Sequence, residues 1–274
     1  MCRVRSLGAI IGLLLAVLFA VAAQAQSWRA EADVAYVEGD YKTALRLWRP
    51  QAERGDAAAQ VSLGLLYESG EGVAQDHAMA AHWYRKAAEQ GDAGAQIFLA
   101  LMYEDGRGVP QSDTVAASWY RKAALQGHTV AQFTLGRMFA QGRGVAQNIR
   151  KAANWWLMAA EQGHHAQAQY NLGSLHLKGR GVTKDYREAA RWWRKAAEQG
   201  HTTAQINLGI MYFHGEDVAQ NFVQAHKWFS LAAASRPSRS QRAKLVKNRE
   251  IVERRMTPAQ LAEAQQLAME WMPK

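Results

Sequence analysis

Ala131 to Val145 reads AQFTLGRMFAQGRGV, and Ala95 to Val109 reads AQIFLALMYEDGRGV. Marking every Ala-Gln pair of this phrase adds Ala59, Ala168 and Ala204, so five copies begin 36, 36, 37 and 36 residues apart. Self-similarity at one fixed period of roughly 20–50 residues is the signature of a solenoid built from stacked units. The single extra residue falls between Gly163 and Ala168, inside GHHAQA, where an insertion disturbs no helical face.

Each copy opens with apolar residues at helical spacing. Ala59, Leu63, Leu66 and Tyr67 stand at i, i+4, i+7 and i+8, as do Ala131, Leu135, Met138 and Phe139. This segment is expected to be a first helix, helix A. Its register holds a small residue beside the leucine: Gly64, Ala100, Gly136, Gly173 and Gly209. Glycine inside a helix costs about 1 kcal/mol against alanine, so close approach of a neighbouring helix is the expected compensation.

A turn follows, as GEGV at Gly70, GRGV at Gly106, Gly142 and Gly179, and GEDV at Gly215. Val73, Val109, Val145, Val182 and Val218 are expected to plug this turn onto the core. Recurrence in every unit marks GRG as a turn, and no P-loop or dinucleotide pattern surrounds it. Helix B comes next, as AMAAHWYRKAAEQG and its relatives, in which an alanine stripe runs beside an aromatic wall. Trp83, Trp119, Trp155, Trp192 and Trp228 recur at one register and are expected to be core. Gly91, Gly127, Gly163 and Gly200 then stop helix B, and Asp56 and Asp92 are placed to cap the next helix A. The fifth unit loses its glycine at Arg236, which ends the stack.

The flanks are of a different kind. Arg3 and Arg5 lead into an apolar run from Leu7 to Val21 that ends in Ala23-Gln24-Ala25, the layout of a secretory signal peptide cleaved after Ala25. The run is shorter than the roughly 20 residues of a spanning helix. Export to the periplasm or beyond is therefore the expectation, with no transmembrane segment in the mature chain. The single cysteine, Cys2, would leave with the leader, so thiols would contribute nothing to fold or chemistry. The formal charge of +9 would fall to +7, since residues 1–25 hold two arginines and no acid. Much of that excess lies between Arg236 and Met256, where Arg236, Arg239, Arg242, Lys244, Lys247, Arg249, Arg254 and Arg255 face only Glu250 and Glu253. In an exported protein such a field fits an anionic envelope polymer or an acidic partner rather than nucleic acid, unless it is simply a solvated helical face.

Solenoid ends need atypical caps over their exposed apolar faces. YVEGDYKTALRLWRPQAERGD matches the helix B half alone, with Trp48 near the tryptophan register, and residues 32–38 can supply its partner. Thr257-Pro258 starts a helix well, and Leu261, Ala264, Leu267, Ala268 and Trp271 form an apolar stripe behind it. The expected organisation is a leader at 1–25 and N-terminal capping helices at 26–56. Five repeats follow at 57–91, 92–127, 128–163, 164–200 and 201–235, then a basic segment and capping helix at 236–274.

The pattern A-x-x-L-G-x-x-Y, G-x-G-V, A-x-x-W-Y/W-x-x-A-A-x-Q-G resembles the Sel1-like repeat, a relative of the tetratricopeptide repeat, over residues 57–235. The resemblance implies an all-α fold, a right-handed α/α superhelical solenoid of antiparallel helix pairs with helix A lining the concave side. It also implies a scaffold or adaptor that binds a partner protein or peptide, in exported bacterial members often in envelope processes. Some cysteine-rich secreted relatives bind or hydrolyse β-lactams with a disulfide in each repeat. This chain lacks those cysteines, which leaves an envelope enzyme of β-lactamase or cell-wall type as the alternative reading rather than the leading one. Transferring the tetratricopeptide groove register gives Val61, Leu65, Ile97, Leu101, Phe133, Arg137, Tyr170, Ser174, Ile206 and Ile210, with Phe98, Asn171 and Asn207 at the flank. Phe133 and Tyr170 would anchor the partner, and Arg137 would select an acidic group.

No catalytic residue, metal ligand or cofactor is expected. A nucleophile needs a base and an orienting group, and a metal site needs three or four convergent ligands. His128, His164 and His201 recur at the inter-repeat turn where Asp56 and Asp92 stand elsewhere, which marks them as loop residues. His164-His165, with His201 one repeat on, is the one cluster that a zinc titration would test, and no HExxH motif accompanies it.

Overall fold

The computed structural model describes residues 28–162, 164–215, 218–235 and 239–271. The expected leader with its cleavage point, the stop at Gly163, Glu216 and Asp217 of the last turn, and Arg236 lie outside the described residues. Those residues form fourteen helices and no strand, an all-α repeat solenoid that divides into two compact units at Ala123. No described helix is long and apolar enough to cross a membrane.

The first unit holds α1 (28–37), α2 (Tyr41–Glu53), α3 (Ala57–Ser69), α4 (His77–Glu89), α5 (Ala93–Asp105) and most of α6 (Asp113–Leu125). Trp48 of α2 packs with Ala32, Leu63, Leu66 and Trp83, so the segment before the first repeat shares that repeat's core. A second cluster joins Ala80, Tyr84 and Ala87 to Leu99 and Met102. Asp56 and Asp92 cap α3 and α5, their Oδ1 atoms accepting the amides of Ala59 and Ala95 at 2.8 and 2.7 Å. Such caps satisfy amides that the first helical turn leaves without partners.

The second unit holds α7 (Thr129–Gln141), α8 (Ile149–Gln162), α9 (Ala166–Lys178), α10 (Tyr186–Glu198), α11 (Thr202–His214), α12 (Phe222–Ala234), α13 (Arg239–Glu253) and α14 (Pro258–Trp271). At its end α12 packs against both α13 and α14. Thr257 and Gln260 close the start of α14 reciprocally. The Gln260 side chain accepts the Thr257 amide at 2.9 Å and Thr257 Oγ1 accepts the Gln260 amide at 3.3 Å.

The small residue of helix A has a specific partner. A Cβ on Gly136 or Gly173 would lie 2.5 or 2.4 Å from the indole of Trp156 or Trp193, and one on Gly64 or Gly209 would meet Tyr84 or Phe229 just as closely. Helix B therefore presses a ring directly against the helix A backbone, which recovers in dispersion what glycine loses in propensity. The ring that does so is the second of each aromatic pair. In the first-position row Trp83, Trp192 and Trp228 are buried, whereas Trp119 and Trp155 are only partly so. The expectation that the whole row is core is thus corrected at two positions. Trp119 lies under the Lys122 amine at 3.8 Å, a position compatible with a half-wet ring.

The G-x-G-V turn works at close range. Gly108 has φ of 66°, and a Cβ there would fall 2.0 Å from the carbonyl oxygen of His77 in the preceding helix B. Only glycine allows that backbone conformation and that approach together. Val73, Val109 and Val218 pack onto the neighbouring core clusters.

One feature of the repeat phrase carries more than its sequence disclosed. The glutamine of each Ala-Gln pair is buried, from 1% exposure at Gln132 and Gln169 to 5% at Gln205. Its Nε2 donates to a carbonyl in the last turn of a preceding helix B: Gln60 to Ala52, Gln96 to Ala88, Gln169 to Ala160 and Gln205 to Ala197, at 3.0 to 3.1 Å. Ala52, Ala88 and Ala197 also accept the amide of Gly55, Gly91 and Gly200 at 3.0 to 3.1 Å, so the glutamine adds a second bond to a helix-end carbonyl and joins one repeat to the end of the one before.

Candidate partner-binding face

The helix A positions singled out above are not equivalent. In the first unit Val61 and Leu65 are half-buried against the cluster of Tyr84 and Leu99, and Ile97 is only 9% exposed. Phe98 stacks on Tyr84 with ring centres 5.0 Å apart. Leu101 alone among them is open, at 37%. Helices that pack on both sides leave only their outermost row to a partner.

In the second unit the two expected anchors are already engaged. Phe133 stacks on His165 at 4.4 Å between ring centres and Tyr170 on His201 at 4.6 Å, the planes 18° and 16° apart. Their backbone carbonyls accept the indole N–H groups of Trp156 and Trp193 at 3.2 and 3.1 Å. The expectation that these rings stand free for a ligand is corrected to this extent: one face of each is covered by the next repeat. Asn171 accepts from Gln167 at 3.2 Å and the Ser174 hydroxyl donates to the Tyr170 carbonyl at 3.0 Å. Ile206 leans on the cluster of Phe229 and Leu245, Asn207 is half-buried, and Arg137 and Ile210 are exposed. Among the described residues Arg137 has no ion-pair partner. The open row is thus Leu101 in one unit and Arg137 with Ile210 in the other, each two positions after a fully buried leucine: Leu99, Leu135 and Leu208.

The histidines that cover the two rings are helix caps. His165 Nδ1 accepts the Ala168 amide at 3.3 Å, and His201 Nδ1 accepts the Ala204 amide at 3.2 Å. His165, not His164, therefore takes the register of Asp56 and Asp92. His164 absorbs the extra residue with φ of 49°, and His128 occupies the same place before α7 without a side-chain bond. With Nδ1 accepting, the proton of His201 sits on Nε2, which faces Gln167 Oε1 at 3.0 Å. No group of three or more side chains able to hold a metal exists among the described residues.

Burial pushes both imidazoles below the ordinary 6.5. A group whose folded pKa is lowered gives stability that is complete above its unfolded value and is lost as pH falls through the folded one. The second unit is expected to weaken progressively as pH falls below 6.5, because the protonated ring can no longer accept the amide. Urea midpoints at pH 7.5 and 5 test this against the variant carrying His165→Asp and His201→Asp, whose carboxylates cap without needing deprotonation in this range. That variant is expected to lose distinctly less; an equal loss removes the caps as its cause.

Comparison with known proteins now places the chain. A family model described as the Sel1 repeat matches residues 57–92, 93–128, 129–164, 166–201 and 202–236. The crystal structure of a Sel1 repeat protein from Oxalobacter formigenes is similar over 78% of this chain and 88% of that one, at 32% identity and a TM-score of 0.73. The protein c5321, a protective antigen present in uropathogenic Escherichia coli strains and displaying an SLR fold, is 31% identical over 89% of this chain and 68% of its own, with a TM-score of 0.36. No curated protein matches.

Proposed function

We propose, because this chain belongs to the Sel1 repeat family, whose members are generally protein-interaction scaffolds, that it is an exported scaffold holding a partner protein or peptide on the helix A faces of its repeats. The observation that carries the reading is the open row. Leu101 in the first unit, and separately Arg137 and Ile210 in the second, are exposed at the same position of their repeats, while the leucines two positions earlier are sealed. Intramolecular packing gives no reason for apolar and cationic side chains to recur there, and a partner does. The same face is poorly set up for catalysis. His165 and His201 use Nδ1 in helix caps, and the Ser174 hydroxyl is turned onto a backbone carbonyl.

Crosslinking in the native compartment, followed by identification of the captured protein, tests the reading. Leu101→Glu and Arg137→Glu, each introduced singly, are expected to lower capture of that protein about tenfold without changing the helical circular dichroism. Undiminished capture by both variants would remove the row as the binding surface. Export is supported by the arginines and apolar run ahead of Ala23-Gln24-Ala25. The mature protein is expected in the periplasm or the medium with Gln26 as its first residue, and a recovered N-terminus at Met1 contradicts this.

A further inference from the structure

The end of the second unit departs from the repeat. After α12 the next helix, α13, reads RSQRAKLVKNREIVE, with no aromatic residue and no leucine–glycine pair. Leu245 and Val252 of α13 are buried with Ala225, Phe229 and Ala232. Its long polar side chains do not fill the remaining space against α11. A cavity of about 310 Å³ is left there, lined by Ile210, Phe213 and His214 of α11, Phe229 of α12, and Asn248 and Ile251 of α13. Ile210 and Ile251 are 41% and 40% exposed at its mouth. That volume lies at the lower end of the roughly 300–1,000 Å³ typical of ligand pockets, enough for one or two bulky side chains.

The mouth is cationic. Lys244 and Lys247 stand four residues before Asn248 and Ile251, so both lie along the cavity side of α13, and Arg255 lies in the turn just past its end. They are exposed, and none has an ion-pair partner among the described residues. Of the two acids of α13, Glu253 is engaged by the buried His226 at 2.9 Å and by Arg249 at 3.6 Å. Glu250 is exposed three residues after Lys247 and forms no ion pair with it. The helix dipole does not account for Lys244 and Lys247, which stand in the middle of α13. Arg242 stands near the helix N-terminus, whose own partial charge is positive and repels it.

We infer that this cleft takes an acidic, amphipathic peptide segment of a partner protein. One or two apolar side chains of the segment enter between α11 and α13, and its carboxylates meet Lys244 and Lys247. Charge complementarity chooses the occupant. A neutral apolar segment leaves the cations unused, and a plain polyanion leaves the apolar walls wet. The inference rests on the scaffold reading in taking a protein as partner and shares Ile210 with it, but the residues its test changes are separate from Leu101 and Arg137.

Two fluorescein-labelled helical peptides with the same leucine and phenylalanine face, one with glutamates and one with lysines opposite, test the cleft by fluorescence anisotropy on the full chain. Poly-glutamate serves as the probe for charge alone. The acidic peptide is expected to bind saturably, about tenfold or more tightly than the basic one, and to weaken about tenfold with either Ile251→Gln or Lys247→Glu. Both substitutions are at exposed positions, and an unchanged urea midpoint verifies the fold of each variant. Three results overturn the inference: no saturation with the acidic peptide up to about 1 mM, equal affinity for the two peptides, or binding that Lys247→Glu abolishes while Ile251→Gln and poly-glutamate leave it indistinguishable from attraction to any polyanion. None of these touches the scaffold reading, which stands or falls on Leu101→Glu and Arg137→Glu.

Discussion

Trp193→Ala is expected to lower the unfolding free energy by about 3–5 kcal/mol, the range of large aromatic-to-alanine changes in packed cores. Trp193 is 3% exposed, lies against the Gly173 backbone, and donates its indole N–H to the Tyr170 carbonyl at 3.1 Å. Truncation removes the ring from between α9 and α10 and leaves that carbonyl without its indole donor. The companion substitution Gly173→Ala isolates the ring's role. In an ordinary helix it would stabilise by about 1 kcal/mol. Here its Cβ would fall 2.4 Å from the Trp193 ring, so a loss of about 1–3 kcal/mol is expected instead. In the Trp193→Ala background the ring is gone and only the Ala189 carbonyl oxygen, 3.0 Å from that Cβ, still crowds it, so most of the loss should disappear. Urea unfolding followed by circular dichroism on the two single variants and the double variant reads the coupling. A stabilising Gly173→Ala in the otherwise unaltered protein contradicts the packing argument.

Gln169→Leu is the second large effect, expected at about 1–3 kcal/mol despite an exchange of a polar residue for an apolar one of similar size. Gln169 is 1% exposed, donates to the Ala160 carbonyl at 3.1 Å, and accepts from Gln199 at 2.7 Å. Leucine removes the buried donor to the Ala160 carbonyl and leaves Gln199 Nε2 with only the Lys195 carbonyl at 3.3 Å. In a solenoid each unit depends on its neighbours, so the loss is expected to loosen α8 from α9 and to broaden the unfolding transition. Gln147 provides the control. Its side chain donates to the Ala140 carbonyl at 2.8 Å in an exposed setting, and Gln147→Leu is expected to stay within about 0.5 kcal/mol. Equal losses from the two substitutions would show that burial of the joint does not matter.

These positions also mark how far the chain could be read before its structure. The leucines, the turn glycines and the two aspartate caps were legible because each is a local event: helical period, positive φ and an N-terminal amide all lie within a few residues. The glycine beside the leucine was legible as a close approach but not as a seat for a particular ring, because Trp156 lies twenty residues after Gly136 and Trp193 twenty after Gly173. The buried glutamine recurred in the sequence just as faithfully as the glycine, and its five-fold repetition next to alanine was the available signal. A polar residue in an exposed-looking register gives no hint that its partner is a carbonyl eight or nine positions earlier.

The candidate face divides in the same way. Register alone listed Phe133 and Tyr170 with Arg137 and Ile210, since all stand outside the leucine stripe. What separates them is a histidine more than thirty residues later that lies on the ring.

From sequence alone, the protein is a stack of helical pairs with a period of 36 residues, because that period, its apolar spacing and its turn glycines are properties of consecutive residues. Tertiary structure alone decided which of the outward side chains remain free, where the glutamines join the repeats, and that α13 leaves an apolar cleft beside exposed lysines. Those outcomes depend on which atoms from distant repeats reach the same place, and burial is settled only when all of them have arrived.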